Sequence, residues 1–356
     1  MRRHTEIVKE LTKGARASNL LPTVSTTLRQ PPPTRSLLAA WWLAALFLLI
    51  LLAASACAGG RSRLQRTVVL VTDAGCEVDD QWALAHLLLL NEAGRIDLAG
   101  VVTTHAPSLA PPAAQSSAAA AREIVDLVAP REPPPVIAGS SEPLSEPGKP
   151  RESRGADFIA ALSRNFTSER RLTVLSIGAA TEIASALLLD PSAAERIEIV
   201  AMGFEGWPQG GDPWNVKNDP LAFRTLLAAD VPLAIGDAEV TKRHLTVDEE
   251  SARRLIGSGG TARERLREIL RGWLDREGDL CRKVTGRRAW PIWDLVVVAH
   301  LLGLTQDESR PRPRLRDDLT FDIENPQGLV RWITVIDERK LWRDLHAGLS
   351  RASNRR

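Results

Sequence analysis

Short apolar runs rich in β-branched residues alternate with longer stretches in which apolar positions recur at helical spacing. The runs predict strands and the longer stretches predict helices. Strands are expected at Thr67–Val71, Leu98–Thr103, Val136–Ala138, Leu172–Ile177, Ile197–Met202 and Pro232–Ile235. Helices are expected at Val78–Asn91, Gln115–Leu127, Ala156–Arg164, Thr181–Leu189 and Leu221–Ala228. This alternation predicts an α/β fold, an open, mainly parallel, Rossmann-like sheet with helices on both faces.

The last hundred residues follow a less regular pattern. Residues 247–284 have a helical pattern that is broken near Gly257–Gly260, and Trp293–Leu302 is expected to be an apolar helix. Thr320–Ile323 and Val330–Val335 are expected to form a closing hairpin, followed by a last amphipathic helix.

The first sixty residues differ in composition from the rest. A basic leader precedes Leu37–Ala56, an apolar run long enough to span a bilayer. Small residues and then Cys57 follow, which resembles the lipobox of bacterial lipoproteins, where cleavage leaves a lipidated cysteine. A lipid anchor on Cys57 and an uncleaved membrane anchor both fit, and both place the rest of the chain in the cell envelope, outside the inner membrane. We expect a leader and linker over residues 1–60 and a single α/β domain over residues 61–356.

The charge of the chain bears on its partners, and its cysteines bear on whether it contains a disulfide. The 46 Lys and Arg residues against 44 Asp and Glu give a net charge of +2, and no basic patch interleaved with aromatic residues stands out. We therefore expect no nucleic-acid partner. Cys76 and Cys281 could pair in an oxidising compartment, but nothing in their spacing supports a disulfide, so two free thiols are expected.

An acidic turn follows the first expected strand. Asp73, Asp79 and Asp80, with Glu77 between them, surround the connection to an apolar helix. Like charges this close raise one another's pKa unless a cation neutralises them, and oxygen ligands without His or Cys suit Ca²⁺ or Mg²⁺. Asp79 and Asp80 could instead only cap the helix. Three acids beside Gly75, at the carboxyl end of a strand, favour a metal or ligand site.

This segment resembles the signature of the calcium-dependent, inosine-uridine-preferring nucleoside hydrolases, Asp-x-Asp-Pro-Gly-x-Asp-Asp between a strand and an apolar helix. Asp73 matches the second Asp and Asp79-Asp80 match the closing pair, with two extra residues after Gly75. The longer turn is similar to a less characterised branch of nucleoside-hydrolase-like domains in secreted bacterial proteins. The resemblance covers nearly all of the chain from Thr67 to Leu349 and implies a nucleoside hydrolase-like fold.

Three later positions extend the resemblance. Ile177, before Gly178, falls on the residue whose main-chain carbonyl binds calcium in the family, and Asn215 falls on the Asn that holds ribose hydroxyls. Asp294 matches the Asp of the family's His-Asp-Pro segment, which implies a further calcium ligand. Local explanations also fit, since Gly178 marks a strand end and Asp294 could cap a helix after Pro291.

The chain departs from the family's pattern at the sugar contacts and at the acid. The family's Glu aligns with Pro213, and the loop at residues 202–212 has no match for the Asn that contacts the 5′ hydroxyl. The family's His is Trp293, which cannot donate a proton to a departing base but could stack on one. His105, at the end of an expected strand, is a candidate replacement acid.

The resemblance implies hydrolysis of the N-glycosidic bond of a nucleoside or riboside. It implies a calcium ion that holds the attacking water and is bound by Asp73, Asp80, Asp294 and the carbonyl of Ile177. Asp73 would be the general base, while Asp79 and Asn215 would bind ribose hydroxyls and favour an oxocarbenium-like transition state. The chain could also associate with copies of itself as a homo-oligomer.

Two other classes of function compete with this interpretation. Because Trp293 and Pro213 replace family residues, the chain could be a non-catalytic, calcium-containing lipoprotein that binds a sugar or nucleoside. A haloacid-dehalogenase-type phosphatase requires Asp-x-Asp after the first strand, and the sequence from Asp73 to Gly75 does not fit that pattern.

Overall fold

The computed structural model describes residues 65–128, 133–211 and 213–353. The expected leader, its apolar run and Cys57 lie outside these residues. Among the helices that are described, none is both long and apolar enough to cross a membrane.

Eight strands of the described residues form one central sheet. Its members are β1 Arg66–Thr72, β2 Ile96–Thr103, β3 Val136–Ala138, β4 Leu172–Ser176, β5 Ile197–Met202, β6 Leu233–Gly236, β9 Thr305–Pro311 and β12 Leu329–Ile336. Their order is β3-β2-β1-β4-β5-β6-β12-β9, and every neighbouring pair is parallel except β12 and β9. The predicted open, mainly parallel α/β sheet is thereby confirmed. Two small antiparallel pairs lie outside it: β7 Thr246–Val247 with β8 Trp290–Pro291, and β10 Arg314–Leu315 with β11 Phe321–Asp322.

Helices cover both faces of the sheet. One face carries α1 Asp79–Glu92, α2 Ala113–Val128, α8 Ala238–Leu245, α9 Glu249–Ile256, α10 Thr261–Arg276, α11 Gly278–Thr285, α12 Leu295–Leu301 and α13 Glu338–Ser353. The other carries α3 Arg154–Ser163, α4 Thr181–Leu189, α5 Ala193–Arg196, α6 Trp214–Asn218 and α7 Pro220–Ala228. Strand β1 shows why both faces are covered. Its residues Val68 and Leu70 join one apolar cluster, and Val69 and Val71 join the other, as the alternation of side chains in a strand requires.

Most predicted elements are found within one or two residues of their expected ends, but the closing hairpin is wrong. Strand β11 pairs with β10, whereas β12 pairs antiparallel with β9, Thr305–Pro311. The sequence of β9 is polar because the strand lies at the edge of the sheet and is largely exposed, so it has no apolar pattern.

The order of the strands creates a switch point between β1 and β4. The chain proceeds outward from β1 through β2 to β3, then returns to place β4 on the other side of β1. In open α/β sheets such a reversal leaves a crevice at the carboxyl ends of the two strands, where ligands bind. The acidic turn follows β1 and therefore borders this crevice.

Candidate functional site

Two tight backbone segments meet at the carboxyl ends of β1 and β4. The amide of Ile177 donates to the carbonyl of Val71 at 2.8 Å, which fixes the end of β4 beside the acidic turn. Gly178 comes so close that a Cβ there would lie 2.8 Å from the amide nitrogen of Asp73 and 3.0 Å from its Oδ1. A glycine is required at this position because any side chain would displace Asp73.

Three carboxylates from two distant parts of the sequence converge beside this turn. Oxygen atoms of Asp79, Asp80 and Asp294 all lie within 4.8 Å of one another. All three side chains are buried, as is that of Asp73. Asp79 and Asp80 begin α1, and Asp294 immediately precedes α12, so two helix starts place the acids together. The cluster could hold a metal ion.

Hydrogen bonds satisfy these acids unequally. The hydroxyl of Thr72 donates to Oδ1 of Asp80 at 2.5 Å. By contrast, Oδ2 of Asp73 is buried and has no hydrogen-bond partner among the described residues. A buried carboxylate oxygen without a partner is costly, and a bound cation would remove that cost. This donor set therefore fits a hard divalent cation.

The pKa values of the acids also favour a bound cation. Burial, followed by repulsion from neighbouring carboxylates, raises the pKa of Asp73, Asp79 and Asp294 well above the ordinary range. Burial also raises the pKa of Asp80, to about 6, although the bond from Thr72 opposes the shift. These raised pKa values favour the protonated carboxyls, and a bound cation would favour the ionised carboxylates.

Asn215 connects the ends of β4 and β5. Its Nδ2 donates to the carbonyl of Ile177 at 3.2 Å and to that of Met202 at 3.3 Å. A carbonyl oxygen has two lone pairs, so the Ile177 carbonyl can accept this bond and still bind a cation. The structure thus brings Asn215, Ile177 and Asp73 to one cavity, and the roles assigned to them from the sequence stay predictions.

The acids form the floor of a cavity of about 820 Å³. One of its walls comes from α10 and α11, which sequence reasoning did not connect with the site. The residues that this wall contributes recur at helical spacing: Trp273, Arg276, Glu277, Leu280, Lys283 and Val284. The amphipathic spacing was visible in the sequence, but it was consistent with ordinary packing, and only the fold shows that this face borders the acids.

Trp293 lines the cavity beside Asp294. Its ring meets that of Trp290 edge-on, with 5.8 Å between centroids, and Trp290 packs on Trp273 at 5.3 Å. These three indoles form an aromatic wall suited to contact with a planar ring. The indole N–H of Trp290 also donates to Glu77, whose pKa is raised to about 7 by burial and by Asp80.

His105 does not belong to the cavity. Its Nε2 is hydrogen-bonded to the hydroxyl of Thr181 at 3.0 Å, and Thr181 donates in turn to Asp219. The imidazole is buried, which lowers its pKa, and it is not among the described residues that line the cavity. The hypothesis that His105 replaces the missing acid is therefore wrong. Cys76 and Cys281 are free thiols, as expected.

Several solved structures share this fold. A plant nucleoside hydrolase matches with a TM-score of 0.64 at 18% identity, over 80% of this chain and 98% of that one. A purine-preferring ribonucleoside hydrolase from Gardnerella vaginalis matches with a TM-score of 0.63 at 18% identity, over 82% and 100%. An inosine-uridine preferring nucleoside hydrolase from Bacillus anthracis gives 0.58 at 17%, over 82% and 100%. Identities this low show the fold alone. A comparison with curated proteins finds no significant match.

The sequence itself supplies the stronger relationship. Residues 68–349 match the family described as inosine-uridine preferring nucleoside hydrolase, a span that includes both helix starts of the acidic cluster and the whole central sheet except the first two residues of β1. The chain therefore belongs to the inosine-uridine preferring nucleoside hydrolase family.

Proposed function

We propose that this chain hydrolyses the N-glycosidic bond of ribosides in a calcium-dependent reaction. The observation that carries the proposal is the buried carboxylate cluster on the floor of the cavity, in which Oδ2 of Asp73 lacks a partner. Oxygens of Asp79, Asp80 and Asp294 lie within 4.8 Å of one another, and Asp73 lines the same cavity. Within the described residues, no ion pair with a Lys or Arg balances these buried acids. A bound divalent cation would balance the negative charge of this cluster and give Oδ2 of Asp73 a partner.

The proposed calcium ligands are the carboxylates of Asp73, Asp80 and Asp294 together with the main-chain carbonyl of Ile177. When bound, calcium supplies the charge that keeps these carboxylates ionised and makes a nearby water more acidic. A site built from oxygen donors, without His or Cys, suits calcium better than zinc. Asp79 lies in the same group of oxygens, so its assignment to the sugar rather than to the metal rests on the family resemblance.

Asp73 is the proposed general base. It follows β1 directly and faces the cavity, where it can take a proton from a water that attacks the anomeric carbon. Asp79 and Asn215 are the proposed ribose ligands. Hydrogen bonds from sugar hydroxyls to a carboxylate strengthen as positive charge develops on the ring, which stabilises an oxocarbenium-like transition state.

Trp293 is proposed to stack on the departing base. Since an indole cannot protonate the base, departure depends on how well the leaving group carries negative charge. Because Trp293 cannot act as an acid, it also supports a second candidate function. In that case the protein binds a sugar or nucleoside together with calcium but does not hydrolyse it.

The experiment that separates these functions is a panel of ribonucleosides tested for release of reducing sugar, with calcium and with excess chelator. Sugar release that requires calcium supports the proposal. Calcium-dependent binding of a nucleoside without release supports the binding protein, and activity that is unchanged in chelator contradicts the metal assignment.

We also propose that the protein is anchored in the bacterial cell envelope by lipid on Cys57, an assignment that rests on the small residues before that cysteine. Dual acylation at an N-terminal cysteine gives stable anchoring. Cys57→Ser should accumulate as an uncleaved precursor and lose incorporation of labelled fatty acid. A variant that matures normally contradicts the lipid anchor, and a wild-type chain that keeps its leader indicates an uncleaved anchor.

A further inference from the structure

The mouth of the cavity carries charges opposite to those of its floor. The floor is made of buried acids, whereas three exposed cationic side chains line the outer part: Lys242, Arg276 and Lys283. Glu205 and Glu277 line the same outer part, so three positive and two negative charges leave this region with a net charge of +1. The deep and outer parts of one cavity thus favour different chemical groups.

The three cations are free to bind a ligand. None of them forms an ion pair within the described residues. Neighbouring arginines behave differently, since Arg282 pairs with Asp279 at 2.5 Å and Arg288 pairs with Glu249 at 2.7 Å. Cations whose charge is not already balanced by protein can bind an anion at a lower cost.

The cations lie on segments that carry or adjoin the aromatic wall, and they line the same cavity. Arg276 lies one helical turn after Trp273, and Lys283 follows on α11. Lys242 comes one turn before β7, whose residue Val247 pairs with Trp290. A ligand that places a planar base on this wall therefore shares the cavity with positive charges from two separate segments of the chain, α8 and α10–α11.

From these positions we infer that the preferred substrate carries a phosphate on its 5′ oxygen, as in a nucleoside 5′-monophosphate. The inference rests on the proposed function, because it assumes that the ribose binds on the acidic floor. A phosphate on the 2′ or 3′ oxygen would face Asp79 and Asp80, and like charges repel. The 1′ carbon carries the base. With the 2′ and 3′ oxygens excluded, the 5′ oxygen is the remaining position on the ribose from which a phosphate can extend to the mouth of the cavity.

The reaction is the same hydrolysis on a phosphorylated sugar. Water adds its oxygen to C1′, the C1′–N bond breaks, and its electron pair stays on the base. One proton of the water ends on the base and the other remains on the new 1′ hydroxyl, so the products are the free base and ribose 5-phosphate. No further reactant is required.

The test compares binding of ribose 5-phosphate and ribose to the calcium-saturated protein by calorimetry, a readout independent of turnover. Ribose 5-phosphate should bind at least about tenfold more tightly, the size expected for one charge-assisted hydrogen bond. This preference should shrink as salt is raised, because exposed charges are screened. Inosine 5′-monophosphate should correspondingly show a higher kcat/KM than inosine.

Matched variants locate the effect. Lys242→Met and Lys283→Met should each lower the ratio of the two affinities. Arg282→Met, one residue from Lys283 but paired with Asp279, and Lys149→Met, an exposed lysine paired with Glu146, should leave the ratio unchanged. Thermal unfolding checks that the variants are folded.

The outcomes separate this inference from the function on which it rests. Equal affinity for ribose and ribose 5-phosphate overturns the inference and leaves the proposed function standing. If neither sugar binds in saturating calcium, the ribose site itself is wrong and both proposals fail. A preference that survives in both Lys242→Met and Lys283→Met places the phosphate elsewhere and overturns the assignment of the mouth.

Discussion

The indole N–H of Trp290 donates to the carboxylate of Glu77, with 3.2 Å between Nε1 and Oε2. Glu77 belongs to the turn after β1, which is longer than in the family signature, and Trp290 belongs to β8, four residues before Asp294. The bond therefore joins the two segments that supply the acidic cluster. It gives the lengthened turn a structural role, because it fixes the position of α1 relative to the start of α12.

Trp290→Phe should weaken this connection. The change removes a hydrogen bond to a partly buried carboxylate and should lower the free energy of unfolding by about 1–3 kcal/mol. Trp273→Phe is a matched control, since Trp273 packs on Trp290 but its indole nitrogen has no partner among the described residues. Denaturant unfolding of both variants measures the difference, and equal losses would show that ring volume, not the hydrogen bond, matters.

Calcium should abolish a decline in stability that the calcium-free protein shows as pH rises. Burial raises the pKa of Asp80 to about 6, and burial with Asp80 raises that of Glu77 to about 7. The calcium-free folded state therefore holds protons that the unfolded chain has released. Its free energy of unfolding should fall, on the order of 5 kcal/mol, as pH rises from about 4 to about 7.

Bound calcium takes the place of these protons, so in its presence the decline should disappear. Unfolding followed across this pH range, with calcium and with chelator, measures both slopes. The same slope under the two conditions would contradict a metal at the acidic cluster.

Thr72→Val should weaken calcium binding at neutral pH. The hydroxyl of Thr72 donates to Asp80 and lowers its pKa, so removing the hydroxyl should raise that pKa and let protons compete better with the metal. The affinity loss should be roughly tenfold near pH 7 and should diminish at higher pH. Thr103→Val is the control, because Thr103 is the partner of Thr72 in β2 and donates instead to the carbonyl of Ala114. Equal effects of both changes would mean that packing, not the hydrogen bond, is responsible.

Trp293→His should change which substrates are cleaved. Without proton donation the barrier depends steeply on the basicity of the leaving group, so wild type should cleave a nitrophenyl riboside and cleave inosine poorly. The histidine should raise turnover of inosine more than that of the nitrophenyl compound. Initial rates with both substrates measure the ratio, and Trp293→Phe controls for the change in ring. If wild type cleaves both equally well, another acid is present in the cavity.

The sequence predicted the sheet because its inner strands are buried on both faces and their apolar runs are continuous. It also predicted the acids of the turn, since Asp73, Asp79 and Asp80 are close in the chain. Asp294 could be connected with them only by the family resemblance, because no local pattern links positions more than two hundred residues apart. The approach of α12 to α1, which depends on packing across the whole domain, is what places its carboxylate beside theirs.

Other features could not be predicted because their patterns have ordinary explanations. The spacing of Trp273, Leu280 and Val284 is typical of any helix that packs on a core, so nothing marked it as a cavity wall. His105 lies near the correct edge of the sheet, yet it is hydrogen-bonded to Thr181 and is not among the described residues that line the cavity with the acids. Position along a strand is thus predictable, but the direction in which a side chain points after the strand ends is not.

The charged outer strand β9 has a consequence for how the protein behaves in a crowded solution. Its inner neighbour β12, Leu329–Ile336, is rich in apolar and β-branched residues, the composition of segments that add to growing fibrils. Strand β9 covers β12 with Asp307, Glu308 and Arg310 and ends in Pro311, which cannot donate a backbone hydrogen bond. A chain in which β9 detaches would expose the edge of β12 as a template to other copies, so the strand that is hardest to recognise from its sequence is the one that covers this edge.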